Sequence, residues 1–157
     1  MNNINDNELR RAFRVAVILG VAVIGSLFVS VLVVEYLKAN YHSVVGFVSF
    51  QYLRSLRYIA YALSIIHAFI LRIIRGFLFR KLPVDNRAKL IGRLSQISII
   101  SVILCEGPGF YGFVFFFLSG ISRDFYLLMA VSIILLFMYF PRLKNWQYWL
   151  QRLEIRQ

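Results

Sequence analysis

The stretch that decides the fold is residues 96–119, QISIISVILCEGPGFYGFVFFFLS. It is long and apolar enough to cross a bilayer, but it places one carboxylate, Glu106, near its middle. A charge at bilayer depth costs about 2.5–3.5 kcal/mol on insertion scales. Pro108 follows two residues later, and a proline inside a helix removes a backbone hydrogen bond and bends the helix. Two such costs so close together indicate a special feature at this point.

The composition extends the apolar pattern to the whole chain, because 60% of its 157 residues are hydrophobic. A soluble domain is about half apolar. Here the excess lies in long blocks with the charges between them, which is typical of a polytopic membrane protein. We therefore expect an all-α fold with a single membrane domain over residues 1–157. The predicted spans are residues 15–34, 58–78, 94–118 and 125–140.

The net charge of +11 has two explanations, a nucleic-acid partner or a membrane orientation. The basic residues flank the apolar blocks and do not form a soluble basic face, which argues against nucleic acid. Lys and Arg hold loops on the cytoplasmic side and meet anionic lipid there. The basic loop at residues 79–93 and both termini fall on one side of four spans, so we expect both termini in the cytoplasm. The lack of an organelle targeting signal favours a bacterial inner membrane.

Two segments outside the spans are predicted to lie at the membrane surface. Residues 35–57 are too polar and interrupted to span, but they carry aromatic side chains suited to the headgroup region. After Pro141, the spacing of Trp146 and Trp149 places both on one apolar helical face. This predicts an interfacial amphipathic helix at residues 142–155, with both tryptophans as membrane-interface anchors.

Small residues recur at four-residue spacing in the first span. They form two series: Ala12, Ala16 and Gly20, and then Ala22, Ser26 and Ser30. Small side chains at this spacing let helices approach closely in lipid, so both series predict helix packing.

His67 and Glu106 are the ionisable residues nearest the middle of their spans. If the second span ends at residue 78 and the third begins at residue 94, His67 lies ~16 Å and Glu106 ~18 Å from the same surface, at 1.5 Å per residue. The short loop between these spans makes their helices antiparallel. Because intramembrane ionisable groups usually face a partner, we predict a His67–Glu106 pair.

Two roles fit this pair. In one, a neutral hydrogen-bonded pair satisfies two polar groups and holds the helices together. In the other, Glu106 binds and releases a proton or a cation, because apolar surroundings favour the protonated carboxyl group. Pro108 cannot donate a hydrogen bond to Leu104, and the freed carbonyl would lie near the carboxylate, as in ion sites built on broken helices. The glycines beside the proline, Gly107 and Gly109, fit either a shaped site or a kinked, closely packed face.

No motif for catalysis, metal binding or a cofactor occurs in the sequence. There is no Ser/His/Asp pattern, HExxH, CxxC or phosphate-binding loop, so we do not expect an enzyme. The single cysteine, Cys105, lies within a span and cannot form an internal disulfide. One histidine in the membrane does not supply a pair of haem ligands.

Residues 105–118, CEGPGFYGFVFFFL, resemble the carboxylate-bearing helix of the c-type proteolipids of rotary ATPases. In that family an ion-carrying Glu is followed, about five residues later, by a Tyr-Gly or similar pair and an apolar run; Glu106, Tyr111 and Gly112 match this pattern. The resemblance implies that Glu106 carries a proton or a sodium ion in a membrane complex, with other subunits or further copies of the chain as partners. The alternative is a non-catalytic accessory subunit of a larger membrane complex, in which Glu106 serves helix packing.

Overall fold

The computed structural model describes residues 3–40, 48, 50–80 and 87–154. These residues form six helices: α1 (Asn3–Asn40), α2 (Phe50–Arg80), α3 (Arg87–Cys105), α4 (Gly107–Ser119), α5 (Ser122–Tyr139) and α6 (Leu143–Glu154). The described residues contain no strand, which confirms the all-α prediction for this part of the chain.

Four helical stretches are long and apolar enough to cross a membrane, by length and composition. They are Asn7–Asn40, Gln51–Arg80, Ala88–Ser119 and Ser122–Tyr139. Their number and order agree with the four predicted spans.

The helices extend beyond the predicted span limits. Residues 35–40 belong to α1 and residues 50–57 to α2, so these parts of the predicted surface connector are helical. Hydropathy marks only the apolar part of a helix, whereas the backbone hydrogen bonds continue through polar residues at its ends. Residues 41–47 and 49 of the connector, and residues 81–86 of the predicted basic loop, lie outside the described part.

Helices α3 and α4 form the centre of the bundle. α3 contacts α1, α2, α5 and α6, while α4 packs mainly against α5 and α2. In the most apolar 18-residue segment of Ala88–Ser119, 44% of the residues are buried, compared with 11% in the corresponding segment of Gln51–Arg80. The main core joins Cys105 of α3, Phe116 of α4 and Phe125 of α5. The stretch that carries Glu106 is therefore the one on which the other helices converge.

The outer surface of the bundle is also apolar. Phe28 on α1, Ile73 on α2 and Phe137 on α5 are each more than half exposed. Soluble monomers rarely expose contiguous apolar surface of this extent, and such surfaces mark contact with lipid or with other proteins.

The two series of small residues on α1 have different surroundings. Ala16 and Gly20 are buried, and a Cβ atom at Gly20 would lie 2.7 Å from Cε2 of Phe140. This contact confirms close packing for the first series. Ala22 and Ser26 of the second series are exposed, so these two residues do not lie in the interior of the bundle.

Helix α6 confirms the predicted helix in the tail but corrects the role of Trp146. This side chain is only 3% exposed, in a cluster with Leu9 and Leu90, and its ring meets that of Phe13 edge-on at 5.6 Å between centroids. It is therefore covered by protein and is not a lipid-facing anchor. The amphipathic pattern predicts which face is apolar, but not whether lipid or another helix covers it. The side chain of Trp149 lies outside the described part of the structure.

Two local breaks limit α5. Gly120 ends α4 in the left-handed conformation, with φ of 72°, and its N–H donates to the carbonyl of Phe116 at 2.7 Å. Glycine suits this position because it has no Cβ atom. At the other end, Phe140 is extended because Pro141 disfavours a helical conformation in the preceding residue. Both breaks agree with the predicted spans, which leave a short gap between residues 118 and 125 and end at residue 140.

Candidate functional site

The long third apolar stretch is divided at Glu106 into α3 and α4, and Pro108 lies in the first turn of α4. Glu106 keeps helical dihedral angles, with φ of −72° and ψ of −25°. Its N–H donates to the carbonyl of Ile103 at 3.2 Å, and its own carbonyl accepts from the N–H of Phe110 at 3.1 Å. The break is therefore local, and it is where the proline predicts it.

His67 satisfies the carbonyl group that Pro108 leaves without its helical donor. Nε2 of His67 lies 2.7 Å from the oxygen of Leu104, and Nδ1 lies 3.0 Å from the hydroxyl of Tyr111. A carbonyl oxygen can only accept, so Nε2 carries a proton and donates to Leu104, while Nδ1 is hydrogen-bonded to the tyrosine hydroxyl. The Leu104 carbonyl, which Pro108 leaves without its helical donor, therefore has a hydrogen-bond donor in His67.

The imidazole of His67 lies directly against the backbone of Gly107. A Cβ atom built on Gly107 would be 2.5 Å from Cε1, 2.7 Å from Nε2 and 2.9 Å from Nδ1 of the ring. Contacts this short force a displacement, so any larger residue at position 107 would push the ring away from Leu104. The absence of a side chain at Gly107 allows His67 to reach the break.

Ser132 of α5 satisfies the other side of the break. The N–H of Gly109 donates to Oγ of Ser132 at 2.6 Å, and this hydroxyl is 3.3 Å from the carbonyl of Glu106, to which it can donate. Ser132 is fully buried, and Gly109 is buried as well. Since buried backbone groups are costly when unpaired, Ser132 stabilises the broken segment and fixes it against α5.

The carboxylate of Glu106 points to α1. Oε1 accepts a hydrogen bond from the hydroxyl of Ser26, an exposed member of the second series of small residues. Glu106 itself is half-buried. Among the described hydrogen bonds, the partners of His67 and those of the Glu106 carboxylate are different, so the predicted His67–Glu106 pair is not formed. Both residues nevertheless lie at the same break, as their matching depth predicts.

The other predicted site residues divide between this network and ordinary packing. Tyr111 is part of the network, because its hydroxyl is hydrogen-bonded to Nδ1 of His67. Gly112 packs against α5 instead: a Cβ atom there would lie 2.9 Å from Cβ of Leu128 and 3.2 Å from the carbonyl oxygen of Phe125. Gly107, Pro108 and Gly109 shape the break, as already described.

A second polar cluster, which the sequence analysis does not predict, lies where α2 and α5 begin. One carboxylate oxygen of Asp124 accepts from Nε of Arg57 at 2.8 Å, and the other accepts from the hydroxyl of Tyr61 at 2.7 Å. The Asp124 side chain is only 5% exposed, whereas that of Arg57 is 42% exposed. The sequence feature that indicates this cluster is an acidic residue at the start of an apolar block, because a carboxylate buried there requires a partner.

The described residues contain no group of three or more His, Cys, Asp or Glu side chains placed to hold a metal ion. In comparisons of the chain with protein-family models, with curated proteins and with solved structures, nothing matches. The similarity of residues 105–118 to a proteolipid helix therefore stays a prediction from the sequence.

Proposed function

We propose that this protein is a small, proteolipid-like integral membrane subunit in which Glu106 binds and releases a proton or a sodium ion. The four apolar helices and the apolar outer surface support a multi-pass membrane protein. The distribution of basic residues supports cytoplasmic termini, and a bacterial inner membrane is the location we propose.

The observation that carries this proposal is the position of the Glu106 carboxylate at the edge of the bundle. It is half-buried, and the side chain that donates to it, Ser26, is exposed. An intramembrane ionisable group placed at such a surface is a functional site by default. At this edge a neighbouring subunit could reach the carboxylate and exchange an ion with it, whereas a group enclosed by the bundle would be inaccessible.

The contacts at the break favour a proton over sodium. Hard cations bind several oxygen ligands at once. The described hydrogen bonds bring one hydroxyl, that of Ser26, to the carboxylate, while the carbonyl of Leu104 is bound by His67. A proton needs only the carboxylate and one hydrogen-bonding neighbour, which these two residues supply. His67 then acts as a positioning residue that stabilises the broken helix.

The resemblance to c-type proteolipids supports the same proposal through Glu106, Tyr111 and Gly112. In such a protein the partners are further copies of the chain or other subunits of a membrane complex. The alternative is an accessory subunit in which Glu106 only holds helices together. The hydrogen bond from Ser26 favours this second role, because it joins α1 to the break between α3 and α4.

Labelling with dicyclohexylcarbodiimide, which reacts with protonated carboxyl groups in apolar surroundings, tests the proposal. We expect covalent labelling of Glu106 in the folded protein, with less labelling at high pH and none in the Glu106→Gln variant. Asp124→Asn is the matched control: Asp124 is buried and paired with Arg57, so we expect no labelling of it in the wild type and unchanged labelling of Glu106 in this variant. Protection of Glu106 by sodium but not by potassium would identify sodium as the ion.

The packing role predicts a different set of results. It is supported if Glu106 is not labelled at any pH at which the protein stays folded, and this result overturns the ion-binding proposal. Stability separates the two roles further. Glu106→Gln keeps an acceptor for Ser26 and should remain folded under either proposal, whereas Glu106→Leu removes the acceptor and tests how much this bond stabilises the bundle.

A further inference from the structure

Two cavities lie side by side where α5 turns into α6. One is a polar cavity of about 130 Å³, and the other is an apolar groove of about 500 Å³ between α1 and α5. Phe140 and Arg142 line both of them. A polar cavity that continues into an apolar groove suits a ligand with a polar end and an apolar end.

The polar cavity is lined by two arginines, Arg75 and Arg142, together with neutral polar side chains. The neutral polar groups come from Ser98, Ser101, Tyr139, Asn145 and Tyr148. No carboxylate is among the lining residues within the described part of the chain. Its volume is roughly ten times the ~10–15 Å³ that one water needs, so a phosphate group fits. The excess positive charge selects an anion.

Arg75 is the strongest indication that an anion binds there. Its Nη1 is buried and has no hydrogen-bond partner among the described residues. The guanidinium lies over two aromatic rings, at 4.7 Å from the centroid of Tyr139 and 5.4 Å from that of Phe79. Aromatic faces attract the charge but accept no strong hydrogen bond. A phosphate oxygen would satisfy the buried donor, and arginine is especially suited to phosphate.

The apolar groove runs along the exposed surface of the bundle. Its walls include Ile24 and Phe28 of α1 and Ile133 and Phe137 of α5, and all four are substantially exposed. Arg142 is the one charged residue that lines the groove within the described chain, and its guanidinium lies 6.0 Å from the ring centroid of Phe137. The groove is thus open to the surroundings and has a cation beside it.

From these observations we propose that the two cavities together bind one anionic phospholipid. Its phosphate lies between Arg75 and Arg142, and an acyl chain lies in the groove between α1 and α5. Charge complementarity identifies the polar end, because both arginines border the polar cavity. The groove identifies the other end as hydrocarbon, since its remaining lining residues are apolar. A phosphate ion without a chain would leave the groove unused.

Binding of phosphatidylglycerol to the purified protein in mild detergent, measured by native mass spectrometry, tests the site. Phosphatidylcholine and inorganic phosphate are the comparison ligands. The variants Arg75→Gln and Arg142→Gln each remove one of the two positive charges proposed to bind the phosphate, and Ile24→Trp narrows the groove proposed to bind the acyl chain. The matched controls are Arg72→Gln, which removes an exposed arginine from the same helix as Arg75, and Ile18→Trp, which enlarges an exposed residue of α1 away from the groove.

We expect one phosphatidylglycerol per chain, bound at least about tenfold more tightly than phosphatidylcholine, and a loss of about tenfold in affinity for each of the three site variants. The two controls should retain wild-type affinity. The proposal is overturned if Arg72→Gln weakens binding as much as Arg75→Gln, which indicates general attraction to a basic surface. It is also overturned if inorganic phosphate displaces the lipid and Ile24→Trp has no effect, which indicates a phosphate site only. Arg142 is exposed, so its variant remains informative if Arg75→Gln does not fold.

Discussion

Replacing Gly107 by Ala should destabilise the protein by displacing His67. The added Cβ atom would lie 2.5 Å from Cε1 of the imidazole. Overpacking of this kind costs about 1–3 kcal/mol. A displaced ring also leaves the Leu104 carbonyl without its donor, at about 1–3 kcal/mol for a buried group. Alanine recovers about 0.5–1 kcal/mol through its higher helix propensity. The balance is a loss of about 3 kcal/mol in the free energy of unfolding.

A double-mutant cycle with His67→Ala isolates the contact. Once the ring is absent, Gly107→Ala no longer produces a clash and should be neutral or slightly stabilising in that background. Gly76→Ala is the matched control, because no atom lies within 4 Å of its added Cβ, and it should stabilise α2 by about 0.5–1 kcal/mol. Unfolding by SDS in mixed micelles gives the free energies. If Gly107→Ala is equally destabilising with and without His67, the steric explanation is refuted.

Three further substitutions test other contacts by the same unfolding measurement. Ser132→Ala should lower the free energy of unfolding by about 1–3 kcal/mol, because the buried N–H of Gly109 loses its acceptor. Ser101→Ala should have a much smaller effect, because that hydroxyl bonds to the carbonyl of Ile97 in its own helix. Asp124→Asn should lower the free energy of unfolding by about 1–2 kcal/mol, because it weakens the bond to the half-exposed Arg57. Lys38→Gln, which removes the exposed pair with Glu35, is the control. An equal effect of the two substitutions would contradict a special role of burial. Trp146→Ala should lower the free energy of unfolding by about 3–5 kcal/mol and speed hydrogen exchange in α6. Gln147→Ala, at an exposed position, should change neither quantity. Unchanged exchange in the tryptophan variant would contradict the packing described for α6.

Depth along the helices was predictable from the sequence, but the direction of each side chain was not. The rise of 1.5 Å per residue brings His67 and Glu106 to the same level. Each residue also turns the helix by about 100°, so small shifts at a break decide which neighbour a group faces. The proline explains why a donor is needed at Leu104, and the glycine at position 107 explains why the imidazole fits there.

Apolar patterns likewise predict the helices better than the partners that cover them. The face that carries Trp146 is apolar, as the spacing predicts, yet Phe13 and Leu90 cover it instead of lipid. The interaction of Asp124 with Arg57 joins residues that are 67 positions apart in the chain. Pairing over such a distance depends on how the helices are arranged, and neither helix alone contains that information. The same holds for Ser26, whose hydroxyl reaches Glu106 from 80 residues away.

The interaction of Arg57 with Asp124 has a consequence for the order of events during synthesis. The ribosome releases Arg57 well before Asp124, because 67 positions separate them. Until α5 is made, the beginning of α2 carries this arginine without the buried carboxylate that it binds in the folded structure. A chain stopped after α4 would therefore display an incomplete polar contact on an apolar helix. The arrival of α5 completes this contact and also brings Ser132 to the break, so α5 joins the bundle at two separate points.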